Sequence, residues 1–303
     1  MSAMTMTPTK TIQTAVYSMA SPLAGREVEN QDNYLLVNAA GQYECLHDEV
    51  HTTGQLTCWP TGHHRLAVLD GLGGHGGGRQ IAERIVQELL QMPAFFDLAL
   101  MRAELRNLHA RICAELKHAE VSPGSTLLIL EIPAHGPALL FHVGDSRLLA
   151  LRPEGLELLT IDHCPPTAAA LRGELDEHAW LTQVLEEDRC EISQAFGLGN
   201  TLGSNTLQSE LYELTRDNVP AFLAGLADCR PIALEPAVTY LLATDGLWAY
   251  ESPLPMLLEL PGIATQHANN LTEMLDTIAE QHRIKSRQQA RTDNTTLLAF
   301  ALL

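Results

Sequence analysis

Five short apolar runs in this chain start or stop on an aspartate, and that recurrence limits what the chain can fold into more than any other feature. Asp70 follows "RLAVL", Asp245 follows "YLLAT", Asp145 sits between "FHVG" and "SRLLA", Asp293 precedes "NTTLLAF" and Asp32 precedes "NYLLV". A lone acid beside a strand end is an ordinary turn former. Five of them meeting at one rim of a sheet would bury unpaired carboxylates at prohibitive cost. The usual remedy is a hard divalent cation, Mg2+ or Mn2+, with oxygen ligands and retained waters.

Asp70 also opens the glycine-rich stretch "VLDGLGGHGGGR". Gly71, Gly73 and Gly76 satisfy G-x-G-x-x-G between an apolar strand and an amphipathic segment, the pattern of a dinucleotide-binding turn. That turn requires a second parallel strand ending in an acid about twenty residues on, whereas this chain continues with helical spacing, Pro93, and helical spacing again. Asp70 would also face the pyrophosphate, and like charges about 4 Å apart repel by on the order of 4 kcal/mol at an effective dielectric of 20. A cation resolves the conflict, because Asp70 then anchors the ion that holds a phosphate.

The bulk numbers remove several function classes. With 19 basic against 37 acidic residues the formal charge is −18, which repels nucleic acid. No run approaches eighteen consecutive apolar residues, so no membrane span is expected. The six cysteines form no C-x-x-C pair, and the N-terminal stretch has no continuous apolar core of a leader. A reduced, cytoplasmic protein is the expectation. No cysteine is followed by arginine six positions later, as a cysteine-nucleophile phosphatase requires, and Ser125, Thr126 and Ser146 lack an ordered His-Asp pairing for a serine hydrolase. Cys113 reads as a buried packing residue.

Helical spacing at Ile81, Ile85, Val86 and Leu89, then from Leu98 to Leu116, predicts two consecutive helices after the glycine turn. Strands are predicted at 125–132, 138–143 and 147–152, and further ones at Asn33–Val37, Tyr240–Thr244 and Thr295–Ala301. The region from Asp162 to Pro236 has a weak pattern with one helix expected at 176–189, and a last helix is expected near 265–283. Hairpin-paired strands with helices inserted in blocks indicate α+β layering in a single domain.

Taken in order, "ENQD", "DGLGGHGGG", "GSTLLIL", "GDSR", "TIDH", "ATDGLW" and "TDNTT" resemble the motif series of the PPM, or type-2C, metal-dependent protein serine/threonine phosphatases. The "DGLGGH" form is closest to bacterial members. The resemblance spans residues 24–303, after an N-terminal extension at 1–23, with an insertion at 38–65 and a variable, flap-like region at 162–236. It implies a four-layer α-β-β-α sandwich of two antiparallel sheets flanked by helices. It further implies a centre of two Mn2+ or Mg2+ ions: Asp70 bridges both, the Gly71 carbonyl binds one, and Asp245 and Asp293 complete the other. Asp32 belongs to the outer shell, and Asp145 with Asp245 matches the positions of a third ion.

The implied reaction is hydrolysis of phosphoserine or phosphothreonine in a phosphoprotein by water activated between two ions, without a phosphoenzyme. The leaving alkoxide needs a proton, for which His75 is one candidate; a turn histidine bonded to backbone is its competing role. The rival reading is an inactive scaffold of the same fold that binds a phosphoprotein partner. A signalling enzyme opposing a serine/threonine kinase, monomeric and without nucleic-acid or membrane partners, is the expected setting. Two departures stand out. The family's phosphate-gripping arginine lies three residues before the Asn of the motif, where this chain has Glu27, and a one-residue bulge is needed to bring Arg26 into that role, with Arg79 the next candidate. The 38–65 insertion carries His63 and His64, expected as exposed loop residues.

Overall fold

Nearly every central strand of this protein is buried on both faces, because each of its two large sheets is covered by the other on one side and by helices on the opposite side. The computed structural model describes residues 10–21, 29–73, 77–117, 123–185, 191–204, 206–249, 252–286 and 292–303. The chain begins with β1 (Ile12–Met19), β2 (Asn33–Val37), β3 (Gln42–His47), β4 (Val50–Gln55), β5 (His64–Leu69) and the two-residue β6 (Gly71–Leu72). Helices α1 (Gly77–Gln91) and α2 (Leu98–Leu116) follow, then β7 (Gly124–Ser125), β8 (Leu127–Ile132), β9 (Ala138–Val143), β10 (Arg147–Arg152) and β11 (Gly155–Leu158). The middle region holds α3 (Pro165–Leu171), α4 (Glu177–Leu185), β12 (Gln194–Ala195), β13 (Gly199–Asn200) and β14 (Cys229–Ile232). The chain ends with β15 (Thr239–Ala243), α5 (Leu254–Gln266), α6 (Leu271–Ser286) and β16 (Thr295–Leu302).

One sheet has the order β14-β9-β8-β5-β2-β3-β4 and the other β1-β16-β15-β10-β11, with every pairing antiparallel. Period-two alternation sorts the side chains. Leu36, Leu66, Val68, Leu128 and Leu130 of the first sheet meet Leu148, Ala150, Tyr240, Leu242 and Phe300 of the second in one core. The opposite faces pack on α1 and α2 through Leu35, Ala67, Leu69, Ile81, Ile85 and Leu108, and on α5 and α6 through Leu149, Leu241, Leu257, Met274 and Ile278. This is the expected four-layer sandwich. The 162–236 region has its own small core of Ile161, Trp180, Val184, Leu214 and Leu223.

Several expectations need adjusting. The extension at 1–23 contains β1, which pairs with β16 along its full length. The last helix, expected near 265–283, is α6, and a further helix, α5, precedes it. The helix expected at 176–189 is α4, ending at Leu185, with 186–190 outside the described residues. Cys113 is half-buried, its thiol beside His109 and the Ser209 carbonyl. His63 and His64 are not in an exposed loop: both are buried.

The reason for His63 is Glu131, a fully buried carboxylate on β8 that pairs with His63 Nε2 and with Arg65 directly opposite on β5. Arg65 is also fully buried, donates to the carbonyls of Leu89, Met92 and Pro93 at the end of α1, and lies over the rings of Trp59 and Phe95. Its charge faces the negative end of the helix dipole. No helix among the described residues is long and apolar enough to cross a membrane.

Removing one partner of such a pair leaves a buried charge unmatched. Glu131→Ala is therefore expected to lower unfolding free energy by about 3–5 kcal/mol, read from urea denaturation. Replacing Arg65 and Glu131 together with apolar residues of similar volume should recover most of that loss.

Candidate metal centre

The aspartates meet because antiparallel register leaves them no other place. Asp32 stands one residue before β2 and Asp70 one residue after β5, and since Asn33 pairs with Leu69, the two acids emerge side by side. In the other sheet Arg147 pairs with Ala243 and Ala243 with Leu297. That register places Asp145, just before β10, Asp245, just after β15, and Asp293, just before β16, at one common end.

A layer of hydroxyls directly beneath the acids ties the two sheet ends together. The Thr244 hydroxyl donates to Asp32 Oδ2 at 2.7 Å across the sheets, and its oxygen accepts the Thr296 amide at 2.9 Å. Thr126 Oγ1 accepts the Asp70 amide at 2.8 Å and lies 2.7 Å from Ser146 Oγ of the opposite sheet. Ser18 Oγ lies 2.8 Å from Thr296 Oγ1 and accepts from Asn30 Nδ2 at 3.0 Å. The sequence reading missed this layer. Its signal is in the sequence, in the small hydroxyl residue that adjoins Asp145 and Asp245 and stands three places after Asp293 in "GDS", "ATD" and "DNTT".

The glycine turn is shaped by contact. A Cβ on Gly71 would lie 2.2 Å from the Gly78 carbonyl oxygen, and one on Gly78 would lie 2.4 Å from that of Gly71. The start of α1 therefore packs backbone to backbone on the residue after Asp70, and only glycine fits at either position. Gly246, after Asp245, is equally enclosed: a Cβ there would lie 1.8 Å from the Asn294 carbonyl oxygen.

The electrostatics are those of crowded carboxylates withdrawn from water. Loss of hydration, then the charges of Asp245, Asp32, Asp145 and Asp293, push the Asp70 carboxyl well above the usual carboxylate range. Burial does the same to Asp32, whose pKa rises to about 8 although Thr244 donates to it. Asp145 is pushed up by lost hydration and then by Asp245 and Asp162, against the pull of Arg147. Asp32 Oδ1 is buried with no hydrogen-bond partner among the described residues. Five carboxylates and an orphaned carboxylate oxygen make an all-oxygen donor set suited to Mg2+ or Mn2+.

Arg26 and His75 lie outside the described residues, as does Glu27. Arg79 is held by carboxylates rather than facing an open position. Its Nε donates to Glu29 at 2.7 Å, and its Nη1 to Asp48 at 2.7 Å and Glu83 at 2.8 Å.

His142, His163 and Asp228 also bring candidate ligand atoms within 4.8 Å of one another, all buried. Their hydrogen bonds assign them a different job. The Gly144 amide donates to His163 Nδ1 at 2.9 Å, so the ring proton is on Nε2, which donates to Asp228 Oδ1 at 3.0 Å. No lone pair of that ring is left for a cation. His142 Nε2 donates to the Ser146 carbonyl at 2.8 Å. The two rings therefore clamp the turn on either side of Asp145, and Asp228 fastens the clamp to the 162–236 region by accepting the Leu214 amide at 2.7 Å.

No family model matches the sequence, and no curated protein matches it. Solved structures do. PppA of Pseudomonas aeruginosa, described as a key regulatory component of T6SS, superposes with a TM-score of 0.62 at 21% identity, covering 98% of this chain and 100% of that one. The PPM Ser-Thr phosphatase MsPP of Mycobacterium smegmatis, solved with cacodylate, gives 0.60 at 19% identity over 96% of this chain and 98% of that one. The catalytic domain of the serine threonine protein phosphatase PstP, solved with two manganese ions, gives 0.59 at 18% identity over 97% and 100%. Identities this low speak for architecture, and the architecture is shared end to end: this chain has the fold of the bacterial PPM-type serine/threonine phosphatases.

Proposed function

We propose that this protein is a Mn2+- or Mg2+-dependent serine/threonine phosphatase that hydrolyses phosphoserine and phosphothreonine in proteins. The observation that carries this reading is the convergence of Asp32, Asp70, Asp145, Asp245 and Asp293, with the Asp70 carboxyl raised by lost hydration and then by the charges of the other four. Two manganese ions in the PstP neighbour support the choice of cation.

In this reading Asp70, the Gly71 carbonyl, Asp245 and Asp293 would hold the two ions, with Asp32 in the outer shell and Asp145 at a third position. Divalent ions so held lower the pKa of water towards neutrality and offset charge on the phosphoryl oxygens. The chain's own task is to keep its carboxylates fixed in place before substrate arrives. Thr244 does so for Asp32, Thr126 for the Asp70 backbone, and the His142–His163 clamp for the turn bearing Asp145. Glycine at 71 and 78 lets the backbone close against Asp70 without a side chain between.

Release of phosphate from p-nitrophenyl phosphate and from a phosphothreonine peptide tests the reading. Asp70→Asn and Asp245→Asn should stay folded and keep less than about a tenth of wild-type turnover at saturating Mn2+. EDTA should abolish activity reversibly. Metal binding without any hydrolysis by the wild type would favour the inactive scaffold.

Protons and cations should compete for the same carboxylates. A carboxyl raised in the folded state, as Asp32 is from 3.8 to about 8, holds a proton that the unfolded chain releases. Its contribution is therefore fully present below the unfolded value and lost as pH rises through the folded one. In EDTA the melting temperature should fall between about pH 5 and pH 8, less so in Asp32→Asn, and Mn2+ should raise it more at pH 8 than at pH 5. An EDTA melting curve that is flat or rising over that window would contradict the site.

A further inference from the structure

The β3–β4 hairpin, half of the stretch 38–65, has no part in the reading above, yet its tip reaches the segment that carries Asp32. His47 pairs with Val50, leaving Asp48 and Glu49 as a two-residue turn. Both have left-handed backbones, with φ of 49° and 62°. Such turns favour Asn-Gly because side chains at those angles are strained. This chain instead places two acids there, and each is engaged across the gap.

Glu49 Oε2 accepts the Asn30 amide at 2.9 Å. Asn30 Oδ1 in turn accepts the Asp32 amide at 3.2 Å, and the intervening Gln31 accepts the Gly71 amide at 3.2 Å through its carbonyl and donates to the Gly73 carbonyl at 3.0 Å through its side chain. Asp48 accepts from Arg79, and its amide donates to Glu83 Oε1 at 2.8 Å, both on α1. One strained turn thus touches the two walls of the site, the Asn30–Asp32 segment and the first turns of the helix packed on Gly71.

We propose that the β3–β4 hairpin is a brace for the metal centre, with Glu49 the positioning residue that fixes the Asn30–Asp32 segment and, through it, the Asp32 carboxylate and the Gly71 peptide. The inference rests on the phosphatase reading for its consequence but not for its geometry. Strain retained at this turn is offset by contacts that a relaxed turn residue could not make.

Glu49→Gly separates the brace from plain stability, because glycine relieves the left-handed backbone while removing the acceptor. In the full chain this variant should melt no lower than wild type. In EDTA its Asn30 and Asp32 amides should exchange hydrogen several-fold faster, and its Mn2+ dissociation constant by calorimetry should rise about tenfold, the usual effect of losing a group that orients a ligand. Glu49→Gln, which keeps a carbonyl acceptor at the same reach, should stay within about twofold of wild type in both measurements. Unchanged exchange at Asn30 in Glu49→Gly would overturn the brace, and so would equal losses in Glu49→Gln, which would assign the effect to charge. Should wild type bind no Mn2+, the phosphatase reading falls, and the exchange comparison alone still decides the brace.

Discussion

Repulsion among buried like charges is the constraint around which this fold is arranged. Asp32, Asp70, Asp145, Asp245 and Asp293 lie at one end of two packed sheets, where lost hydration and then neighbouring charges raise the proton affinity of Asp32, Asp70 and Asp145. Nothing in the hydrophobic effect would bring them together. They are carried there by strands whose register is set elsewhere, by apolar side chains on both faces of each sheet. The free energy of core burial thus holds a site that would otherwise push itself apart, and it can do so because the acids sit outside the last ladder bond of each strand.

The hydroxyl layer is the transition between these two regimes. Thr126, Ser146, Thr244, Thr296 and Ser18 occupy inward-facing positions at the strand ends, where an apolar side chain would leave amides and carboxylate oxygens unsatisfied and a longer polar one would not fit between the sheets. A hydroxyl both donates and accepts, so one row of them can join carboxylates above to backbone below. This also explains how the sheets keep alignment at the polar end, where the interlocking of Leu and Phe side chains has stopped.

Much of this was legible in the sequence. Strands of apolar residues ending on aspartate gave the sheet rim, helical spacing after the glycine turn gave α1 and α2, and the ordered motifs gave the architecture. What escaped had non-local causes. β1 has little alternation of its own, and its place depends on β16. His63 and His64 read as loop residues because Glu131, the partner that buries His63, lies 68 residues away. α5 was masked by Pro253, Pro255 and Pro261, although proline is tolerated in a helix's first turn, where Pro253 and Pro255 stand. The brace at Asp48 and Glu49 gave no signal, since an acidic pair is a poor turn sequence and only its partners justify it.

The pairing of β1 with β16 has a consequence for how the protein comes to exist. Ser18 and Thr296, which touch in the hydroxyl layer, are 278 residues apart in the chain. A nascent chain can build the seven-stranded sheet up to β9, with Asp32 and Asp70 already beside each other, long before β16 has left the ribosome. The other half of the rim cannot close until the final strand arrives to sit between β1 and β15. Contacts so distant in sequence form slowly, and here they are the ones that gather the last carboxylates. All five acids therefore meet only once β16 has joined the sheet.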